Sequence, residues 1–516
     1  MSNQLELNTL FLTALEQMEN TNNHLFITGR AGTGKSRLLE HFREKTKKKI
    51  VVLAPTGIAA INVNGQTIHS FFKFKPGISI GAMKEHFIGK KQREIYQQLT
   101  MIIIDEISMV RADLLDCIDY VLRQSRSKTM EPFGGIQMVL IGDLYQLPPV
   151  VSREEQQIFR SYYETPYFFS AKVFDQLKLE IIELTKIYRQ KDLKYIELLN
   201  AIRNNAITKQ ELEEINQRYI ADFKPYTKDL YIYLAATNKQ VAEINEEQLN
   251  KIKSSSYKFN AKINGEFTKE YYPAATLLEI KIGAQIMLLN NDNKRGWVNG
   301  DIGKVISLIK NQKTGIKVIV VKLDDGRKCY VETHTWEITK LILENGQLIS
   351  EVIGSFSQYP ITLAWAVTIH KSQGKTFKQV IIDLSKTFFN GQSYVALSRC
   401  TSLDGVILKQ PLLKKHIWFD PAILEFLNNH GTLITHDPLE NKIKTIQEAI
   451  ELQKNLNLVY QKTVEQIFKI IIKPFKIKTM TKLNQPSVGV VGSYLENNNY
   501  IKRLFFLDQI LEISIL

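Results

Sequence analysis

The residues with the most chemistry per position are Gly29, Gly32, Thr33, Gly34, Lys35 and Ser36, within the run HLFITGRAGTGKSRLL from His24 to Leu39. Gly29, four residues, then Gly34-Lys35-Ser36 is the spacing of a phosphate-binding loop. The apolar run before it and the helix-forming run after it supply the strand and helix that this spacing needs. Glycines let backbone N–H groups turn toward phosphate oxygens, and the positive end of the following helix adds to their pull. In such a loop the Lys35 ammonium reaches the β and γ phosphates, and the Ser36 hydroxyl holds a magnesium ion.

Further polar residues stand where apolar runs end. MIIIDE, Met101 to Glu106, is a strand-like run closed by two carboxylates. Asp105 suits a magnesium ligand and Glu106 a base that polarises the attacking water. QMVLIGDLYQLPP repeats the arrangement and offers Gln146 as a γ-phosphate sensor, whereas Asp143 reads equally well as a turn residue. LTKIYRQ supplies Arg189, and GQSYVALSRC ends in Arg399 behind an apolar stretch that would aim it. An arginine reaching from a second core to a phosphate held by the first would couple hydrolysis to closure.

A second set of residues suits a polyanion. Pro55-Thr56 closes the run IVVLA, Thr237-Asn238 closes another apolar run, and Thr368, His370 and Lys371 crowd a turn ended by Gly374, which itself is a candidate for the nucleotide site. GQTIHSFFKF interleaves His69, Phe71, Phe72 and Phe74 with lysines, which fits either base stacking along a single strand or a core aromatic cluster with lysines at its rim. Sixty-seven Lys and Arg against 53 Asp and Glu give a formal charge of +14 and favour a polyanionic partner without naming one. Cys117, Cys329 and Cys400 show neither disulfide nor zinc spacing, no membrane-spanning run stands out, and the N-terminus lacks the basic flank of a secretion signal. A reducing, cytoplasmic setting follows as the expectation.

These residues need strands that end together. Apolar runs alternating with helical ones predict an α/β fold: a first core at 1–183, and a second core split between 184–280 and 356–430. Between its halves, 281–355 turns to short, glycine-broken strands, the pattern of a small inserted antiparallel β-barrel. Polar, Gly- and Pro-containing residues at 431–444 predict a linker. Residues 445–516 then read as a small separate module, with a helix over Thr445–Tyr460 and strands over Phe468–Ile477 and Lys502–Leu516.

Taken in order, TGRAGTGKS, APTGIAA with GQTIHSFF, IIIDEISMV, FGGIQMVLIGDLYQLPPV, LTKIYRQ, AWAVTIHKSQGKTF and GQSYVALSRC resemble the Pif family of superfamily one, type B, DNA helicases, relatives of RecD. The resemblance spans about Leu7 to His430. It implies two RecA-like cores with ATP and Mg2+ at their interface and single-stranded DNA crossing both in the 5′-to-3′ direction. Tailed or structured duplex DNA would be the substrate, genome maintenance the setting, and the chain a monomer working with single-strand-binding or repair proteins.

Carried over, Lys35 and Ser36 bind phosphate and magnesium, Asp105 holds the metal, Glu106 is the base, Gln146 meets the γ-phosphate, and Arg189 and Arg399 are arginine fingers. Pro55, Thr56, His69, Phe72, Thr368, His370 and Lys371 fall in blocks that the family uses on DNA. Phe11 stands near the position where many members place an adenine-reading Gln. The tail resembles a WYL domain at Gly492-Ser493-Tyr494-Leu495 and IKRLFFLDQI, with Ser493 in place of Trp, Gln509 in place of an Arg, and Arg503 as the retained cation. A clamp that grips nucleic acid under ATP control without unwinding it is the competing expectation. Lys35→Ala is expected to abolish ATP hydrolysis while single-stranded DNA is still bound, measured by phosphate release and by anisotropy; unchanged hydrolysis would remove the phosphate-loop assignment.

Overall fold

The structure is a computed structural model. It describes residues 8–75, 77–78, 80–151, 153–188, 192–203, 205–226, 229–292, 294–310, 315, 317–384, 391–417, 420–429, 432–434, 438–463, 466–482, 485–496, 499–507 and 510–516. Ala14–Leu433 form one compact unit; Ile434–Leu516, with the described residues up to Thr13, form another.

In the larger unit, β1 (His24–Gly29), β2 (Ile50–Ala54), β3 (Gln66–Thr67), β4 (Met101–Ile104), β5 (Gln137–Ile141) and β6 (Leu179–Leu184) pair in the order β6-β1-β5-β4-β2-β3, with Thr432–Ile434 at the edge beyond β6. The pairings within β1–β6 are parallel, with Phe26 opposite Leu140 and Ile181, and Ile104 opposite Leu53 and Leu140. Burial on both faces explains why these strands are apolar throughout rather than alternating. Parallel direction also brings the carboxyl ends of β1, β2, β4 and β5 to one edge. Helices α1 (Lys35–Lys45) and α2 (Gly57–Asn62) start from that edge.

The second core is a four-stranded parallel sheet, in which β7 (Ile232–Ala235) lies between β8 (Ala366–Thr368) and β9 (Val380–Ile382), followed by β10 (Val406–Leu408). Helix α3 (Leu193–Arg203) belongs to it, since the Tyr195 hydroxyl donates to Leu397 O at 2.6 Å. Helices α4 (Asn238–Lys251) and α5 (Gln392–Leu397) complete its described frame.

The antiparallel insertion starts earlier than expected from the sequence. Ser256–Asn260 pairs with Leu277–Lys281, and Lys262–Gly265 pairs with Gln347–Gln358, so the boundary at 281 falls late. Lys262–Gly265 is exposed throughout and Ser256–Asn260 alternates exposed with half-buried residues, so neither carries the apolar run that marks a strand. The main sheet has five strands, Lys328–Val331, Lys317–Leu323, Ile302–Lys310, Gln285–Leu288 and Ile361–Leu363 in that order. Leu278 and Ile280 share one core with Ile286, Val305, Ile319 and Tyr359.

Two expectations for the C-terminal region are corrected. The linker at 431–444 holds the strand Thr432–Ile434 and the start of a helix at Pro438–Glu451. Proline is tolerated in a first helical turn, and the apolar spacing of Ile446, Ala449 and Ile450 outweighs the polar composition. The helix read over Thr445–Tyr460 ends at Glu451, and Leu456–Thr463 is a strand whose buried Leu456, Leu458 and Tyr460 alternate with period two. Asn499–Phe506, Gln485–Glu496, Gln466–Lys482, Leu456–Thr463 and Ile510–Ile515 form an antiparallel sheet in that order.

The aromatic stretch after β3 belongs to the core. Phe72 is 0% exposed, lies 5.3 Å from the Phe74 ring and 5.4 Å from the Tyr96 ring in near-parallel stacks, and meets Phe71 edge-on at 5.0 Å. A fully enclosed ring cannot stack on a nucleobase, so the expectation of Phe72 as a DNA contact is corrected. Phe72→Ala is expected to destabilise the protein by about 3–5 kcal/mol, seen as a lower denaturant midpoint, with single-stranded DNA affinity of the folded protein unchanged; a selective loss of DNA affinity would contradict this placement.

Candidate nucleotide and nucleic-acid site

The phosphate-loop geometry is set by backbone conformations that few residues adopt. Gly34 has φ 93° and stands at the N-cap of α1 with no side-chain cap, which leaves the first helical N–H groups free to meet an anion. Lys35 Nζ donates to Gly29 O at 2.5 Å and to Arg30 O at 3.1 Å, so the ammonium is curled over its own loop. The Thr33 hydroxyl donates to Arg30 O at 2.9 Å and braces the turn from inside, while Ser36 is exposed on the first turn of α1.

Asp105 and Glu106 follow β4 directly at the same edge. The Asp105 N–H donates to Leu53 O at 2.9 Å, continuing the pairing with β2. Glu106 then turns into the left-handed region at φ 52°, a conformation that costs free energy for a non-glycine residue and is kept only where its surroundings impose it. Burial, then Glu106, pushes the Asp105 carboxyl up from 3.8 to about 7, opposed by its hydrogen bond from the Glu106 N–H and by Lys35. Burial also raises Glu106, against the pull of Lys35 and Arg399. Lys35 is lowered, first by burial, with Asp143, Glu106 and Asp105 opposing.

The second core reaches this edge with several groups. Arg399 is 1% exposed; its Nε donates to Val395 O at 2.9 Å, Nη1 to Ser372 O at 3.3 Å and Nη2 to the Ser398 hydroxyl at 2.8 Å. Burial lowers its pKa to about 10, and Tyr394, Glu106 and Asp143 act in the opposite direction. Gln146 Nε2 donates to Asp143 Oδ2 at 3.1 Å, and Gln373 Nε2 donates to Gln146 Oε1 at 3.4 Å, joining the cores. Gly391, φ 76°, packs so closely that a Cβ there would lie 2.6 Å from the carbonyl oxygens of Tyr145 and Gln146. Arg189 lies outside the described residues.

Sequence reasoning set Asp143 aside and missed Arg203 and Lys375. Asp143 is 1% exposed and Arg203 5%, and the two pair across the interface. No sequence signal marks Arg203, which ends an ordinary helix-forming run.

A cavity of about 300 Å³ brings part of the polyanion set together: Thr56, His370, Lys371 and Gln373 line it with Glu106 and Lys375. Lys375 Nζ donates to Asn299 Oδ1 at 2.8 Å, and burial with the nearby Lys371 lowers it to about 8. Thr368 is buried, and its hydroxyl accepts the Lys371 N–H at 3.1 Å, so it positions the loop. Gly374, φ 73°, makes the turn between Gln373 and Lys375. The Thr56 and Thr237 hydroxyls cap α2 and α4, each accepting a backbone N–H at 3.3 Å. Pro55 and His69 are half-buried and Asn238 is exposed; none of the three lines this cavity. Arg503 is exposed on a strand of the C-terminal unit, its guanidinium 5.9 Å from the centre of the Phe505 ring.

The family model described as PIF1-like helicase matches residues 5–213. The chain is similar to the ATP-dependent DNA helicase Pif1 of Campylobacter jejuni, 31% identical over 442 residues, which cover 80% of this chain and 95% of that protein. The human ATP-dependent DNA helicase PIF1 is 33% identical over 450 residues, covering 84% of this chain and 65% of that protein. Among solved structures, Bacteroides sp Pif1 in complex with ADP-AlF4 gives a TM-score of 0.78 at 38% identity, covering 83% of this chain and 97% of that one. Bacteroides Pif1 bound to ssDNA gives 0.59 at the same identity and coverage.

The raised Asp105 carboxyl has a signed consequence. Between pH 3.8 and about 7 the folded protein keeps a proton that the unfolded chain has lost, so stability from this group is present at low pH and lost as pH rises toward 7. In metal-free protein, the melting temperature of Asp105→Asn minus that of the unsubstituted protein is expected to grow by a few degrees from about pH 4 to 7 and then level off; a difference that does not change with pH would show ordinary ionisation at Asp105.

Proposed function

We infer that this chain, which belongs to the PIF1-like helicase family, is an ATP-dependent DNA helicase that moves 5′ to 3′ on single-stranded DNA and opens tailed or structured duplexes in genome maintenance. The observation that carries this reading is the shared interface. The carboxyl edge of the first sheet meets Gln373 and Gly391 of the second core, and the cavity beside it joins Thr56 of one core to His370 and Lys371 of the other. Closure on a nucleotide would therefore change the grip on a strand held in that cavity.

In this reading the N–H groups of the loop from Gly29 through Gly32, Thr33 and Gly34, with Lys35, receive the triphosphate of ATP. The Ser36 hydroxyl and Asp105 carboxylate are oxygen donors of the kind a hard divalent cation takes, and a buried carboxylate with a raised pKa is stabilised by one. Mg2+ bound there would neutralise phosphate charge. Glu106 takes the proton of the attacking water, and burial moves it toward the working pH of a base. Gln146 meets the γ-phosphate, and Arg399 and Arg189 supply positive charge from the second core. Gly374 shapes the turn beside Lys371.

For DNA, Thr56, His370 and Lys371 are the primary contacts, with Pro55, His69, Thr237 and Asn238 along the same strand path. Thr368 holds the His370 loop. The sheets that share the core of Ile280, Ile286 and Val305 act as a small β-barrel inserted in the second RecA-like core. The tail serves as a WYL-like nucleic-acid or regulatory module in which Arg503 is the exposed cation. Among the described residues no helix is long and apolar enough to cross a membrane. A cytoplasmic monomer, recruited by single-strand-binding or repair proteins, completes the proposal.

Two matched duplexes, one with only a 5′ tail and one with only a 3′ tail, test it with ATP and magnesium. Opening of the 5′-tailed duplex alone is expected. Hydrolysis stimulated by single-stranded DNA without opening of either would make the protein a clamp or translocase, and opening from the 3′ tail alone would reverse the polarity.

A further inference from the structure

The phosphate-facing side chains of the first core are not fixed by that core alone. Arg203, the last residue of α3, sends its guanidinium from the second core into the first: Nη1 donates to Glu183 Oε1 at 3.0 Å, and Nη2 lies 3.7 Å from Asp143 Oδ1. Its guanidinium carbon sits 4.2 Å from the centre of the Tyr145 ring. Reaching both carboxylates leaves the Arg203 Nε–H buried and without a partner.

Asp143 divides its carboxylate between two tasks. Oδ1 faces Arg203 and accepts the Tyr145 N–H at 3.2 Å, while Oδ2 accepts Gln146 Nε2 at 3.1 Å. The second hydrogen on that amide nitrogen remains for an incoming oxygen, and the amide cannot flip without setting its own oxygen against a carboxylate. Gln146 is thus oriented by Asp143, and a buried carboxylate needs cations or hydrogen bonds in place of water to hold it there. Among the described residues, Arg203 is the cation in ion-pair contact with it, while Lys35 and Arg399 also feel its charge.

We propose that Arg203 is a positioning residue for ATP hydrolysis: a latch from the second core that fixes Asp143, and through it the Gln146 amide, when the cores are closed. The inference rests on the helicase reading and adds a means of regulation to the same site. It differs from the role given to Arg189 and Arg399, since Arg203 acts through two carboxylates and a ring and needs no contact with phosphate. Opening of the cores withdraws α3, frees Asp143 and leaves Gln146 without a fixed orientation, so the chemical step waits on closure.

The test is steady-state ATP hydrolysis by the full chain at saturating oligo(dT), with ATP varied, for the unsubstituted protein, Arg203→Gln, Arg203→Lys, Asp143→Asn and the double variant Arg203→Gln/Asp143→Asn. Arg203→Gln is expected to lower kcat at least about 10-fold with KM for ATP changed by less than about 3-fold. Arg203→Lys, which keeps a cation beside Asp143, is expected to recover a substantial part of the loss, and the double variant to be no slower than the slower single one. The proposal is overturned if Arg203→Gln stays within about 2-fold of the unsubstituted kcat, if the two losses multiply, or if Arg203→Lys is as slow as Arg203→Gln. Should Arg203→Gln fail to fold, Arg203→Lys and Asp143→Asn decide: loss of kcat at unchanged KM in Asp143→Asn, with Arg203→Lys nearer the unsubstituted rate, supports the latch, and any other pattern removes it. An unsubstituted protein whose hydrolysis ignores single-stranded DNA would instead refute the helicase reading.

Discussion

The constraint on which the larger unit turns is the burial of opposite charges between its two cores. Lys35, at the start of α1, and Asp105, Glu106 and Asp143, after strands of the first sheet, come from the first core, and Arg203 and Arg399 from helices of the second core or their ends. Asp143, Arg203 and Arg399 are almost wholly buried and Lys35, Asp105 and Glu106 half-buried, and removing a charge from water costs several kcal/mol unless an opposite charge or hydrogen bonds replace the water. The cores therefore complete one another electrostatically. That dependence explains why the interface is polar at its centre while the sheets behind it are almost wholly apolar.

How far this was legible in the sequence depended on whether local pattern or tertiary environment decided each feature. The strands of the first core were readable because burial on both faces forces continuous apolar runs such as MIII and QMVLI, and the loop residues after them were readable because glycine, proline and paired carboxylates have few other reasons to follow such runs. Phe72 was ambiguous because an aromatic beside a lysine looks alike whether its ring faces a base or Tyr96. Arg203 was invisible because an arginine at a helix end is usually solvated; only the fold sets it 3.0 Å from Glu183. The strand around Lys262 was missed because it carries no apolar run, and the period-two alternation of Leu456, Leu458 and Tyr460 was misread because it follows closely on the helix that ends at Glu451.

Two backbone features at the interface show the same dependence on tertiary context. Gly391 owes its identity to the carbonyl oxygens of Tyr145 and Gln146, which leave no room for a Cβ, and its φ of 76° adds a conformational reason. A helix that starts on the far core is thereby set directly against the loop that carries Gln146. Close backbone approach of this kind transmits a displacement of one core to the other with little slack, since packed groups shift discretely rather than deform.

Glu106 stands both at the carboxyl edge that carries Lys35 and in the wall of the cavity between the cores. It lies close enough to Lys35 and Arg399 to be influenced by both, and it also lines the cavity with Thr56, His370 and Lys371. Its φ of 52° is a strained state for a glutamate, held by the residues around it rather than preferred by its own backbone. A change in the cavity that altered those residues would act directly on the Glu106 carboxyl, which also feels Lys35 and Arg399. Under the proposed function, coupling between the two places needs no long pathway, because one residue belongs to both.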